Sequence, residues 1–231
     1  AEAFSNFTLA NSYLKMGDKG TAISYFERAD QINSAYPTTP YELIQRDVDY
    51  NLGSLLWEQR LCSRAIPYLE RVGGNDELTA HALDCLGDCY LKRNDVAGAE
   101  AVFERLRAAS PNDPRGIAGL ARCAALKGDY ATAERMLESV IDPRGTVQPS
   151  AFIALAEVQR AQGKIDEAIQ SYTTIARLTG YERDAYLALV DLYRQKGDLT
   201  SALSALQRAA IYSPPNDPTI QGLFATLRAR Q

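Results

Sequence analysis

The chain has 231 residues, 46% hydrophobic and 23% charged, a globular balance that excludes wholesale disorder. Its 25 Lys and Arg against 29 Asp and Glu leave a net charge of −4, which argues against nucleic-acid binding through phosphate contacts. No apolar run reaches the roughly 18 residues needed to cross a bilayer, so no direct membrane insertion is expected.

In chain order, apolar residues spaced by 3 and 4 predict six helix–turn–helix hairpins, over 3–36, 46–79, 80–113, 114–147, 149–182 and 183–216. Position 7 of every copy is leucine (Leu9, Leu52, Leu86, Leu120, Leu155, Leu189), and position 20 is alanine (Ala22, Ala65, Ala99, Ala133, Ala168, Ala202). Position 8 is small in all but the last copy (Ala10, Gly53, Gly87, Ala121, Ala156, then Val190), which predicts close helix approach there. Position 24 is large (Phe26, Leu69, Phe103, Leu137, Tyr172, Leu206). Gly17-Asp18, Gly128-Asp129, Gly163-Lys164 and Gly197-Asp198 mark the turn inside the hairpin. Such a hairpin cannot bury its apolar stripe alone, so the copies must stack.

The departures from the repeat are equally specific. Residues 37–45 are inserted after the first copy, and Thr39-Pro40-Tyr41-Glu42 reads as a capping box that lengthens the next helix to about 40–59. The second copy replaces the glycine turn with Arg60-Leu61 and carries Pro67 near the start of its second helix, where proline is more tolerable. Residues 142–149 should cut short the second helix of the fourth copy and provide a bending point. A final helix over 217–231 reads as a solvating cap.

The pattern resembles the tetratricopeptide (TPR) repeat family, most fully in the third copy, with Leu86-Gly87, Tyr90, Ala99, Phe103 and Pro111. The resemblance implies an all-α, right-handed solenoid of six hairpins with a C-terminal capping helix, spanning 1–231 as a single array. It also implies a non-catalytic protein-binding scaffold without a cofactor.

Catalysis has little to work with. The only histidine is His81, so any Ser-His-Asp or Cys-His arrangement would have to use it. His81, Cys85 and Cys89 share one helical stripe, but no Cys-x-x-Cys spacing supports a metal. Cys85, Cys89 and Cys123 read instead as small apolar residues filling the interface between hairpins. Gly73-Gly74 is an isolated turn rather than a phosphate loop, and Asn6-Phe7-Thr8 matches a glycosylation sequon by chance inside a predicted helix.

In the family the first helix of each hairpin lines a concave groove. Carried onto this chain, the groove would be aromatic early (Phe4, Phe7, Leu14, Tyr50, Trp57, with Asn11) and charged in the middle (His81, Asp84, Asp88, Lys92, Arg115, Arg122). Its last third would mix Ile153 and Leu187 with Glu157, Arg160, Asp184, Asp191 and Arg194. Such a face suits a peptide or helix anchored by aromatics and registered by charge. The carboxylate clamp of chaperone-binding members is not expected: Asn11 and Asn51 match it, but Phe7, His81 and Cys85 replace its basic residues.

Two functional expectations follow. One is an adaptor holding a protein or peptide partner in the groove; the other is a module of a larger envelope, secretion or polysaccharide-export assembly, acting through homo-oligomer formation or a flanking domain. The missing initiating Met reads as a processed or excised chain and favours the second. Four cysteines without a dense framework indicate a cytoplasmic location, with the periplasm as the alternative.

Overall fold

The computed structural model describes residues 2–35, 42–141 and 148–228, which form thirteen α-helices and no strand. They are α1 Glu2–Lys15, α2 Lys19–Ala35, α3 Glu42–Glu58, α4 Cys62–Arg71, α5 Glu77–Lys92, α6 Val96–Ala109 and α7 Pro114–Leu126. There follow α8 Tyr130–Glu138, α9 Pro149–Ala161, α10 Ile165–Ile175, α11 Glu182–Lys196, α12 Leu199–Ile211 and α13 Pro218–Arg228. Odd-numbered helices α1 to α11 begin the successive repeats and even-numbered ones complete them. None of the described helices is long and apolar enough to cross a membrane.

The chain divides into two compact units, Ala1–Gly119 and Leu120–Gln231, the boundary falling within α7. In the first, α1 pairs with α2, α3 with α4 and α5 with α6. The second helix of each hairpin also packs on the first helix of the next, α2 on α3 and α4 on α5. The second unit repeats this arrangement through α8 to α12, and α13 closes on α12. Its core runs from Ala156 and Ala168 through Leu189, Leu192 and Leu206 to Ile220 and Leu227.

The repeat columns explain this packing. All six position-20 alanines are wholly buried, so any larger side chain there would force the paired helices apart. The small residue at position 8 receives the large residue at position 24. A Cβ on Gly53 would stand 2.7 Å from Leu69 Cδ2, and one on Gly87 2.4 Å from Phe103 Cζ. Phe103 is held from the other side too, with Gly119 leaving room for its ring edge.

Position 15 is left-handed in every copy. Glycine supplies it at Gly17, Gly128, Gly163 and Gly197, with φ between +75° and +85°. The same backbone is kept by Arg60 (φ +64°) and Asn94 (φ +60°), so the second copy changes the residue without changing the turn. The following aspartate then caps the second helix: Asp18, Asp95, Asp129 and Asp198 each accept from a backbone N–H three residues on, at 2.9–3.0 Å. Leu61 and Lys164 occupy that position without a side-chain cap.

Three expectations about the departures can be compared. Helix α3 starts at Glu42, ahead of the register that opens at residue 46; Thr39 and Pro40 of the capping box lie outside the described residues. Helix α8 ends early, at Glu138, whereas most of the 142–149 bending point lies outside them. Pro67 is not at the helix start: it sits inside α4, where its missing N–H would otherwise reach the Ser63 carbonyl.

Candidate functional site

In the first unit, the first helices of neighbouring hairpins lie beside one another, α3 against both α1 and α5. This brings Tyr50 and Trp57 of α3 to His81 and Asp88 of α5. The Tyr50 hydroxyl lies 3.2 Å from His81 Nδ1, with the two rings edge to face at 5.7 Å. Trp57 Nε1 donates to Asp88 Oδ2 at 2.7 Å, and its ring stands edge-on to His81 at 6.4 Å. Lys92 pairs with Asp88 and holds its ammonium 5.5 Å from the Trp57 ring centre.

Burial lowers the His81 pKa from 6.5, and Arg115 adds to the effect, so the imidazole is neutral at pH 7. Burial also raises the Tyr50 pKa. The phenol and the neutral ring share one hydrogen bond, its direction set by which ring nitrogen carries the proton. The result is a half-buried aromatic platform in which the Tyr50 hydroxyl and the Trp57 indole N–H are both bonded. Asp84 is half-buried on the same helix, α5.

Arg115 is committed to acidic partners, Glu77 at 2.7 Å and Asp113 at 2.6 Å. Phe7 and Asn11 find partners within their own hairpin, and Phe4 is exposed. Phe4 is 54% exposed, Phe7 meets the buried Phe26 edge-on at 5.9 Å, and Asn11 donates to the Phe7 carbonyl at 3.0 Å. Asn51 similarly donates to the Asp47 carbonyl at 2.7 Å, so both asparagines that matched a carboxylate clamp are engaged within their own helices.

In the second unit, Arg122 pairs with Glu157 at 2.5 Å. Asp191 and Arg194 pair at 3.2 Å within α11, and Arg160 is exposed. Ile153 and Leu187 pack partly buried against the core.

All four cysteines are buried with free thiols. Burial pushes the Cys85 and Cys89 pKa values far up, Asp84 adding to the effect at Cys85 and Cys62 at Cys89, so both are held as protonated thiols.

Sequence reasoning missed the most buried charge. Asp49 of α3 is 2% exposed and is held by Arg71 of α4, which also reaches Asp30 of α2 at 2.9 Å. Gln45 bridges the carboxylates, donating to Asp30 at 2.8 Å and to Asp49 at 3.1 Å. Burial raises the Asp49 pKa and Arg71 opposes the rise. The signal was available: Asp49 fills repeat position 4, which is apolar or aromatic in the last four copies (Leu83, Ile117, Phe152, Tyr186). Arg46 was missed as well; it ties the Gly73-Gly74 turn by donating to the Gly73 carbonyl at 2.7 Å and to Thr79 Oγ1 at 2.9 Å.

The tetratricopeptide repeat family profile matches residues 50–114 and 153–218, more than half of the chain, and related profiles match 90–156 and 5–36. The chain belongs to the tetratricopeptide repeat family. Repeats of this family generally mediate protein–protein interaction and scaffolding, and are generally non-catalytic.

Solved structures agree on the fold. A TPR protein from Parabacteroides merdae is similar over 100% of this chain and 87% of its own, at 15% identity and a TM-score of 0.58. The hetero-tetramer Cut9-Hcn1 of APC/C is similar over 98% of this chain at 16% identity and a TM-score of 0.61, this chain spanning 42% of that one. The type IV pilus biogenesis factor PilW is similar over 96% of this chain and 98% of its own, at 17% identity and a TM-score of 0.57. No curated protein sequence matches this TPR chain.

Proposed function

We propose that this TPR protein is a non-catalytic scaffold that holds a segment of a partner protein across the first-helix face of α3 and α5. The observation that carries this reading is the bonded platform of Tyr50, His81, Trp57 and Asp88. The Tyr50 hydroxyl and the Trp57 indole N–H are satisfied inside the protein, so an apolar side chain can cover these two rings without stranding either group. Ordering cost is low because the rings are already fixed by neighbours on the facing helix. Asp84 and Lys92 flank the platform on α5 and supply charge to set the register of a bound segment.

Trp57 is the only tryptophan, so its fluorescence reports directly on this face. Partners captured from the native source should perturb that emission on titration. Tyr50→Ala with Trp57→Phe should weaken their binding at least tenfold, while circular dichroism remains that of the parent. A captured partner that binds both proteins equally, or leaves the emission unchanged, would place the interaction elsewhere. The second reading, a module of a larger assembly, is favoured by the exposed apolar residues of α1.

A further inference from the structure

The junction between the second and third hairpins carries sulfur on both sides. Cys62 is the first residue of α4 and heads its buried stripe of Cys62, Ala65, Ile66 and Leu69. Cys89 belongs to the buried residues of α5, the helix on which α4 packs. The two thiols are hydrogen-bonded to each other, which puts their sulfurs in direct contact across the junction. In the repeat they fill position 17 of the second copy and position 10 of the third. Position 17 is Lys19, Val96, Tyr130, Ile165 or Leu199 in the other copies, so only here does a cysteine at position 17 precede one at position 10 of the next copy.

The two sulfurs differ in access. Cys62 is 8% exposed and Cys89 is wholly buried, so a reagent from solvent reaches Cys62 first. Burial and the bond to Cys62 keep Cys89 as the thiol, which is not the reactive form, so the pair stays reduced until Cys62 is engaged. The start of α4 is also lightly tied: Leu61 at its N-cap makes no side-chain hydrogen bond, where Asp18, Asp95, Asp129 and Asp198 cap other second helices. Its first turn can therefore shift to take the sulfurs from contact to the roughly 2.05 Å of a disulfide bond. Cys85, on the same helix as Cys89, turns its sulfur to His81 Nδ1 at 3.7 Å instead.

We propose that Cys62 and Cys89 are a redox-sensitive pair that closes to an intramolecular disulfide and staples the second hairpin to the third. The oxidant is a low-molecular-weight disulfide of the glutathione type. Cys62 Sγ gives its proton to solvent and attacks one sulfur of the oxidant, whose S–S bond breaks to release one thiolate, which takes up a proton. Cys89 Sγ then gives up its proton and attacks the Cys62 sulfur, expelling the second half of the oxidant as the Cys62–Cys89 bond forms. Two electrons and two protons pass from the protein to the oxidant, which ends as two thiols. In a stack held by nearest-neighbour contacts, a covalent bond across one junction prevents that junction from opening. It also closes a loop in the unfolded chain from residue 62 to residue 89.

Incubating the native chain with about 1 mM glutathione disulfide, followed by acid quenching and mass spectrometry, tests this directly. The expected result is loss of two hydrogens from the intact mass, a cross-linked peptide joining Cys62 to Cys89, and reversal by dithiothreitol. The oxidised protein should melt about 5–10 °C higher than the reduced one. Cys62→Ala and Cys89→Ala should each abolish the mass loss and the rise, and Cys85→Ala should abolish neither. The wild-type peptide map decides the pairing whether or not Cys89→Ala folds. An unchanged mass, pairing through Cys85 or Cys123, glutathione retained on Cys62, covalent dimers, or an oxidised protein that melts no higher would each overturn the proposal. None of these readouts depends on the α3–α5 face holding a partner.

Discussion

Replacing Gly87 with alanine tests the packing logic of the repeat where the structure leaves least room. In an open helix the change gains up to about 1 kcal/mol, because alanine loses less backbone freedom on folding. Here the new Cβ would lie 2.4, 2.6 and 2.8 Å from three atoms of the Phe103 ring. A ring end with open space beside it would swing aside, but Phe103 is wholly buried and its other edge fills the space left by Gly119. The overlap must then be relieved by separating α5 from α6, and overpacking of this kind costs about 1–3 kcal/mol. With the ring confined on two sides the cost falls at the upper end, leaving a net loss of about 1–2 kcal/mol after the propensity gain. For a chain of this size that is a fall of about 2–8 °C in melting temperature. Gly222→Ala is the internal control: it sits in α13 with nothing within 4 Å of the added Cβ and should raise stability slightly. Phe103→Leu in the Gly87→Ala background should recover part of the loss. Thermal denaturation followed by circular dichroism reads all three, and a Gly87→Ala protein as stable as Gly222→Ala would refute the reasoning.

Two further predictions concern the turn and the buried histidine. Arg60→Gly should raise stability by about 0.5–1 kcal/mol by relieving a left-handed backbone, and Asn94→Gly by less, because asparagine tolerates that region better; the reverse order in urea midpoints would contradict this. His81 has its folded pKa lowered from 6.5 by burial and by Arg115, so as pH falls the unfolded chain takes up the proton first. Its contribution to stability is whole above about pH 6.5 and is lost as pH falls through the lower folded value. Between pH 7.5 and 5.5 the wild type should therefore lose more stability than His81→Gln, and parallel melting profiles would count against a buried neutral ring.

The fold was legible because its determinants are periodic and local. Leucine at position 7, alanine at 20 and a small residue at 8 recur at a spacing that only stacked hairpins explain, and these columns reappear in the buried packing, with Leu9 of the first copy exposed. The turn of the second copy was less legible, because glycine is only one way to hold a left-handed residue and Arg60 does so without it. The proposed interaction face was legible by position alone. Tyr50, Trp57, His81 and Asp88 are separated by as many as 38 residues in sequence yet form one bonded cluster, whereas Phe4, Phe7 and Asn11 do not join it. Position in a repeat gives the helix face, while the partners a side chain finds there depend on the facing helix. The Asp30–Asp49–Arg71 cluster was missed for the same reason: it takes one residue from each of α2, α3 and α4, and no single helix shows it.

That cluster bears on how the face is held. Apolar contact between helices tolerates several neighbouring angles, because it depends on area rather than direction. Hydrogen bonds from Arg71 to the buried Asp49 and from Gln45 to Asp30 are directional and require one arrangement of α2, α3 and α4. Asp49 immediately precedes Tyr50, so the bonds that fix α3 towards α2 and α4 lie next to those it makes with α5. Helix α3 is therefore oriented by polar bonds on two sides, one set buried and one half-buried. A buried carboxylate adds little net stability over an apolar side chain of the same size. Its effect here is geometric: it removes the rotational freedom of α3 that would otherwise blur the spacing between Tyr50, Trp57 and their partners on α5.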